Sequence, residues 1–426
     1  MRTKTKATSM NDDAKAVLVP GMRFPEFRGA EGWVQRRLGT VLSFQTGYPF
    51  PSSGFNDKKD GMRLIRNRDL RSDDIVVFYS GEIDPSFVVQ DGDVLVGMDG
   101  DFTPIVWEKG EALLNQRVGR ILPQGSSDLR FLLYLLTLSL KKIEEKTART
   151  TVKHLSHSVV GNKDEPLPTL AEQRKIADCL SSLDELIAAQ ARKVDALKTH
   201  KKGLMQQLFP REGETQPRRR FPEFQNAGDW EVKKIEDIAR RGSGHTPNKA
   251  KPEYYNGGIK WVSLADSKRL DNGKIFETAT LISELGIKNS SAVLHPAGSV
   301  ILSRDAGVGK SAVLNESMAV SQHFVVWTCD NRSLSNWFLY YFLQFNKPVF
   351  ENVATGSTIK TIGLPFFKEL CITIPSVPEQ QCISSSLSDL DALITAETQK
   401  LETLKTHKKG LMQQLFPSVG GVAGEA

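Results

Sequence analysis

Between residues 176 and 208, apolar side chains recur at Ile176, Leu180, Leu183, Ile187, Val194, Leu197, Leu204 and Leu208, with Gln190 and Lys201 on the two polar rungs. The steps alternate four and three throughout, the spacing that keeps one narrow seam facing a partner helix in a coiled coil. The ladder returns at Ile383, Leu387, Leu390, Ile394, Leu401, Leu404, Leu411 and Leu415, interrupted at Glu397 and Lys408. Each seam predicts a helix that begins near Leu170 or Val377 and is stopped by Pro210 or Pro417. Glu172-Gln173 and Glu379-Gln380 then fall in the first turns, where a carboxylate suits the helix dipole. About 40 residues at 1.5 Å each make a rod of roughly 60 Å. Two matching seams in one chain point to mutual pairing rather than to two separate amphipathic helices. The seam itself does not fix direction, but a whole domain separates the helices, and an antiparallel pair puts the two inserts at opposite ends about an approximate two-fold. Gly203 and Gly410 each cost about 1 kcal/mol relative to Ala, which points to close helix approach or a local bend.

Both ladders finish in the same fourteen letters, LKTHKKGLMQQLFP, at 197–210 and 404–417. The repetition extends far beyond them. RFPEF at 23–27 returns at 220–224, and Trp33 is answered by Trp230. RFLLYLL at 130–136 matches WFLYYFL at 337–343, TTVKHL at 150–155 matches STIKTI at 357–362, and LPTLAEQRKI at 167–176 matches IPSVPEQQCI at 374–383. The period is too long for a solenoid, whose units run 20 to 50 residues. It marks a duplicated domain. Between these anchors the copies diverge: TGYPFPSSGFNDKKDG faces RGSGHTPNKAKPEYYNGG. Within the inserts, at about 40–150 and 237–355, GDVLVGM and GSVILSR predict one pair of strands. LNQRVGRIL (114–122) and VSQHFVVW (320–327) predict a second pair, and the apolar runs at 131–138 and 338–345 predict core helices.

Composition adds little to this pattern: 39% hydrophobic and 25% charged residues, with a net charge of +6, permit a polyanionic partner without requiring one. Cys179, Cys329, Cys371 and Cys382 form no CxxC pair and read as reduced thiols of a cytoplasmic protein. FLLYLLTLSL at 131–140 is half the length of a membrane span, and the N-terminus has no apolar core of a secretory signal. Catalytic motifs are harder to find. RDAGVGKS at 304–311 carries the second half of a phosphate-binding loop, but Arg304 stands where its first glycine belongs and the following residues read as strand. Glu144-Glu145-Lys146 reads as a solvated helix end, and His154 with His157 as surface histidines. A nucleotide-binding ATPase built on 304–311, or a duplicated coiled-coil scaffold without DNA, are the competing readings.

The order of these motifs resembles the DNA-specificity subunit of type I restriction–modification systems. LPTLAEQRKIADCLSSLDELI and IPSVPEQQCISSSLSDLDALI before long helices, KKGLMQQLFP at their ends, RFPEF…W at the domain openings, and the starts GYPFPSSGF and GHTPNKAKPEYYNGGIKWV carry the likeness. It implies an α+β fold with two target-recognition domains separated by two long helices in an antiparallel coiled coil. The divisions expected are tail 1–17, recognition domain 18–165, helical spacer 166–210, linker 211–219, recognition domain 220–373, spacer 374–417 and tail 418–426. The likeness further implies a non-catalytic chain reading a bipartite double-stranded DNA target, one half per domain, with helix length setting the unread interval. Half-sites on one face of the duplex lie about 34–36 Å apart. Two methylation subunits and translocating restriction subunits would be its partners, bringing S-adenosylmethionine, ATP and Mg; no cofactor or metal is expected on this chain.

The DNA-contacting candidates in the first domain are Tyr48, Ser52, Ser53, Arg66, Asn67, Asp99, Gln116 and Arg117. Those in the second are His245, Thr246, Lys249, Ser263, Asp266, Arg304, Asp305, Lys310 and Gln322. Arg304 suits a bidentate contact to guanine, whereas Lys153 and Lys360, at equivalent positions, suit phosphates.

Overall fold

Branched residues fill Val94–Gly97 and Val300–Ser303, and every residue of both strands is buried. These strands sit at the centre of two equivalent folds. The structure, a computed structural model, describes residues 18–146, 154–356 and 360–417. It forms two compact units: one from residues up to 190 together with those from 400 onward, the other from 191–399.

In the first unit, Val94–Gly97 belongs to an antiparallel sheet ordered Leu42–Thr46, Val118–Pro123, Val94–Gly97, Ile105–Val106. The helix Leu129–Lys146 lays Phe131, Leu132 and Leu135 into one core with Val94, Val96 and Ile121. A second, mixed sheet carries Phe55–Asn56, Val77–Tyr79, Met62–Ile65, Ala112–Leu114 and Val88–Val89. Val34–Arg37 pairs antiparallel with Asp164–Leu167, joining the start of the module to the foot of the first long helix.

The second unit repeats this plan. Its main sheet runs Ala239–Ser243, Phe324–Cys329, Val300–Ser303, Ser311–Leu314, Lys274–Ile275. A second sheet holds Thr280–Ile282, Tyr255–Val262, Met318–Val320 and Leu294–His295, and Glu231–Lys234 pairs with Cys371–Ile374 as the closing ribbon. Phe338 and Leu339 of the helix Asn336–Phe345 pack on Val300, Leu302 and Val325.

The strands expected at 114–122 and 320–327 are present but begin later, at Val118–Pro123 and Phe324–Cys329; Leu114 and Val320 instead end the preceding strands Ala112–Leu114 and Met318–Val320. The two strands of each pair belong to different sheets, so one continuous ladder is impossible. A tight turn joins them, with the Val118 amide donating to the Asn115 carbonyl at 2.9 Å and Phe324 to Ser321 at 3.2 Å.

The long helices are Leu170–Leu208 and Val377–Leu415, 39 residues each. Neither forms a segment apart from the recognition folds: each contributes one half to each unit. In the first unit, Ile176 and Leu180 share a core with Met412 and Leu415, and Asp184 pairs with Lys408. In the second, Met205 and Leu208 share a core with Ile383 and Leu387, Lys201 bonds Asp391 at 2.6 Å and Lys193 pairs with Glu397. Rising numbers meet falling ones, so within each unit the halves run antiparallel. None of the ladder positions is exposed in either helix, and the polar rungs Lys201, Lys408 and Glu397 are ion-paired. Gly203 and Gly410 do not mark close approach. A Cβ at either would meet nothing within 4 Å, and both helices run unbroken through them.

The same tie anchors each helix start to its module. Arg23 of RFPEF donates to both oxygens of Glu172 at 2.8 and 2.7 Å and to the carbonyls of Ala30 and Glu31. Arg220 does the same with Glu379, at 2.8 and 2.6 Å, and with Ala227 and Gly228. Both carboxylates are essentially fully buried, at 1% exposure. Gln173 and Gln380 complete the junction by accepting the backbone amides of Asp128 and Ser335.

Breaking such a buried pair strands the remaining charge and costs about 3–5 kcal/mol. Glu172→Ala is therefore expected to lower the melting temperature of the chain strongly, with Glu172→Gln milder. Native-state hydrogen exchange should lose protection first in residues 18–46 and 154–180; a uniform loss across residues 191–399 would contradict this role.

Candidate nucleic-acid interface

The diverged loops gather where the two sheets of each module meet, at the turns that carry Gln116-Arg117 and Gln322-His323. Backbone geometry there is the same in both copies. Tyr48 donates its amide to the Leu114 carbonyl at 2.9 Å, and His245 to Val320 at 3.0 Å. The preceding glycines are required, since a Cβ on Gly47 would lie 2.2 Å from the Asn115 oxygen and one on Gly244 1.9 Å from the Val320 oxygen. Equivalent backbones thus present an exposed tyrosine in one module and an exposed histidine in the other.

In the first module, the Tyr48 ring rests on Phe50 and Phe87, with centroids 5.1 and 5.3 Å away. This fixes a 45% exposed aromatic at the surface. The Gln116 amide donates to the Tyr48 carbonyl at 3.1 Å, and both Gln116 and Arg117 are exposed. Asp99 draws Arg117 to 3.5 Å and His154 to 2.9 Å, while Asn67 donates to the Asp99 carbonyl at 2.8 Å. Tyr48, Asn67, Asp99, Gln116 and Arg117 therefore form one cluster. Ser52 and Ser53 are exposed on the short turn Ser52–Gly54. Lys153 lies outside the described residues.

In the second module, Thr246 bonds Gln322, Asp305 accepts from His323 at 2.7 Å, and Arg304 stands 3.7 Å from Asp305. Lys360 is exposed beside Thr361, whose backbone bridges to Asp305. Thr246, Lys249, Tyr255, Trp261, Ser321 and His323 line a cleft of about 480 Å³. Ser321 is buried there, and its hydroxyl has no hydrogen-bond partner among the described residues.

Three candidates are corrected. Asp266 is completely buried: it accepts from the Ser263 and Ala279 amides and from Arg269, closing a capping box with Ser263, and so holds a loop rather than facing a ligand. Ser263, 9% exposed, shares that box and also lines the cleft. Arg66 is the counterpart in the first module, its guanidinium committed to Asp69 and to the Ile75 carbonyl. Lys310 donates to the Ser267 carbonyl and hydroxyl at 3.0 and 3.1 Å. The 304–311 segment is a hairpin between Val300–Ser303 and Ser311–Leu314, with Gly307 and Gly309 at φ of 105° and 84°. No helix follows to receive a phosphate, so the nucleotide-site reading does not stand. Sequence reasoning set aside His154 and passed over His323; alignment of the two copies puts His323 opposite Arg117, directly after the shared glutamine.

Among the described residues, no group of histidine, cysteine and acidic side chains could hold a metal ion, and no helix is long and apolar enough to cross a membrane. Removing the Asp266 carboxylate leaves the buried Ser263 amide unpaired, at about 1–3 kcal/mol, and frees the part-buried Ala279 amide as well. Asp266→Ala is expected to destabilise the second unit and to open exchange at Ser263 and Ala279. An unaltered melting curve would return Asp266 to the candidate readers.

The family of the type I restriction modification DNA specificity domain matches residues 30–199 and again 227–406. Over 413 residues the chain is 23% identical to the type I restriction enzyme MjaVIII specificity subunit of Methanocaldococcus jannaschii, covering 93% of each protein. A stretch of 154 residues is 40% identical to the type I restriction enzyme EcoBI specificity subunit of Escherichia coli, amounting to 36% of this chain and 32% of that relative. The chain thus matches about a third of the EcoBI subunit but nearly all of the MjaVIII one. Among solved structures, the type I restriction–modification S subunit from M. genitalium is similar with a TM-score of 0.60 at 15% identity, covering 94% of this chain and 100% of the other. A chain from a structure of type I R-M complex assembly and conformational transition gives 0.55 at 18% identity, over 91% and 98%. These structural likenesses speak to the fold.

Proposed function

This chain belongs to the family of type I restriction–modification DNA-specificity proteins, and from that membership we propose that it is the specificity subunit of such a system, each unit reading one half of a split DNA target. One observation carries the reading. The frame is duplicated down to single hydrogen bonds, while the side chains on its two equivalent outer faces differ. A scaffold without a ligand has no reason to vary only there. Two different half-sites do.

The chemistry of the faces suits double-stranded DNA. Lys249 and Lys360 are exposed cations for phosphates, which set affinity and register without carrying sequence information. Gln116 and Gln322 can pair with adenine through N6 and N7, and Arg117 with guanine through O6 and N7. Each good bidentate pair discriminates against a wrong base by about 1–3 kcal/mol. Tyr48 and His245 offer a stacking or edge contact beside them.

The chain performs no chemistry on DNA in this reading. Methylation subunits supply S-adenosylmethionine chemistry, and restriction subunits supply ATP- and Mg-dependent translocation and cleavage. The two LKTHKKGLMQQLFP segments support two copies of one methylation partner. Their buried residues are explained by the cores they fill, but Lys198, His200, Lys202, Gln206 and Gln207 are exposed, as are Lys405, His407, Lys409, Gln413 and Gln414. Among the described residues Lys405 bonds Glu402 at 2.8 Å, a local surface pair that does not require both copies to match; two identical external surfaces do.

Exchanging residues 40–150 for those of another family member is expected to change one half of the methylated motif and leave the other intact, as read by long-read mapping of methylated adenines. A change in both halves, or in neither, would defeat the modular reading. The chain alone is expected to transfer no methyl groups. Lys202→Glu should cost one methylation subunit in native mass spectrometry, and Lys202→Glu with Lys409→Glu both; retention of two copies in the double variant would remove this surface from the contact.

A further inference from the structure

The two recognition faces share almost no loop sequence, yet one charged device recurs in both. Asp99 stands two residues beyond the strand Val94–Gly97 and holds His154 Nδ1 at 2.9 Å and Arg117 at 3.5 Å. Asp305 stands two residues beyond Val300–Ser303 and holds His323 Nδ1 at 2.7 Å, with Arg304 at 3.7 Å. Arg117 and His323 occupy the same place in the same turn, each directly after its glutamine. The backbone of each aspartate also bridges to an equivalent later segment, Asp99 to His154 and Asp305 to Thr361.

A carboxylate on a surface meant for DNA repels phosphates, so by charge alone each aspartate weakens binding. Its presence in both copies, where nearly every neighbouring loop residue has changed, calls for a compensating gain. The geometry provides one. A carboxylate only accepts hydrogen bonds, so the His323 ring donates through Nδ1, and in the neutral ring Nε2 is left as the acceptor for an outside partner. His323 lines the same cleft as Thr246, Trp261 and Ser321. Arg117 is the more exposed partner of its pair, 55% against 30% for Asp99, so the carboxylate acts from beneath; among the described residues the guanidinium is engaged at Nη1, by Asp99 and by His154 Nδ1 at 3.4 Å. A long side chain held this way loses less freedom on meeting a base than one waving in solvent.

We propose that Asp99 and Asp305 are positioning residues that aim Arg117 and His323 at base edges, each governing discrimination at the half-site of its own module alone. This rests on reading the two faces as half-site readers, and it adds which side chains are aimed and by what.

The test uses the full chain assembled with its methylation subunits and duplexes carrying the motif mapped in the host, with substitutions confined to one half-site at a time. Asp99→Asn is expected to reduce discrimination at the first half-site about tenfold or more, the scale of one lost base contact. Discrimination at the second should stay unchanged, and non-specific binding should stay equal or tighten because a negative charge is gone. Arg117→Gln should reproduce that loss, and Asp99→Asn added to it should cause no further loss. Asp305→Asn and His323→Gln should behave alike at the second half-site. Unchanged discrimination in Asp99→Asn, loss at both half-sites, or additive losses in the double variant would overturn the proposal. Should Asp99→Asn melt early, Arg117→Gln decides, since a loss not confined to one half-site refutes the aiming role. If the unsubstituted complex itself fails to distinguish half-site variants, the reading of the faces falls; if it distinguishes them and the aspartate variants do too, only this inference falls.

Discussion

A guanidinium and a carboxylate, buried together at the base of each module, set the geometry on which everything else depends. Arg23 enters with the opening RFPEF segment, and Glu172 sits in the first turn of the long helix, 149 residues later. Neither tolerates burial alone, because an ion removed from water needs both its charge and its hydrogen bonds satisfied. Two parallel N–H···O bonds fix the planes of both groups, and two further donations to backbone carbonyls fix the turn. The helix therefore leaves its module in one direction only. A hydrophobic contact at that junction would permit sliding; the fork-to-fork pair does not. Arg220 and Glu379 repeat the restraint in the second unit.

The far end of each helix completes a core. Within the first unit, Phe416 stacks on Phe131 at 5.4 Å and meets Trp33 edge-on at 6.0 Å; within the second, Phe209 lies 5.3 Å from Phe338 and 5.4 Å from Phe345. Lys408 pairs with Asp184 over the Tyr134 ring, and Lys201 pairs with Asp391 over Tyr341. Burial pushes both tyrosine hydroxyls upward, so they stay protonated and donate to those same aspartates, at 2.8 and 2.9 Å. The fourteen identical residues thus solve one packing problem twice. On its inner side the segment is a plug of Met, Leu and Phe with one lysine held in a carboxylate–aromatic clamp.

Much of this was legible in the sequence, for identifiable reasons. A coiled-coil seam is apolar at four-three spacing whatever it pairs with, and a duplicated frame announces itself by repeated anchors, so the helices and the duplication could be read directly. The direction of pairing could not. It resides in contacts such as Lys201–Asp391, 190 residues apart, which no periodicity reveals. The strands expected at 114–122 and 320–327 were drawn across a turn because its three polar residues, Asn115-Gln116-Arg117 and Ser321-Gln322-His323, are flanked on both sides by apolar ones and carry no glycine or proline to mark a reversal. The loops were harder still. A serine and an aspartate three apart, as at Ser263 and Asp266, are a cap as readily as a pair of base readers, and only burial separates the two. Gly309-Lys310-Ser311 matched half of a phosphate cradle, but the positive φ of Gly307 and Gly309 serves a hairpin reversal.

The division between what is buried and what faces out explains how one frame can serve two targets. Each of these loops is secured from beneath: by a buried aspartate in a capping box, at Asp69 or Asp266, and by a glycine pressed against the facing strand, at Gly47 or Gly244. With the backbone placed by these, the outward side chain at the next position is free to be tyrosine in one module and histidine in the other, and the turn residue free to be arginine or histidine. On the proposed reading, substitution there alters which base edge is met while leaving the buried caps and the facing-strand contacts of the glycines in place. Stability and specificity thus occupy opposite faces of the same few residues. A frame of this kind can acquire a new half-site by changes that cost almost nothing in folding, provided the buried aspartates, glycines and the Arg–Glu fork are left alone.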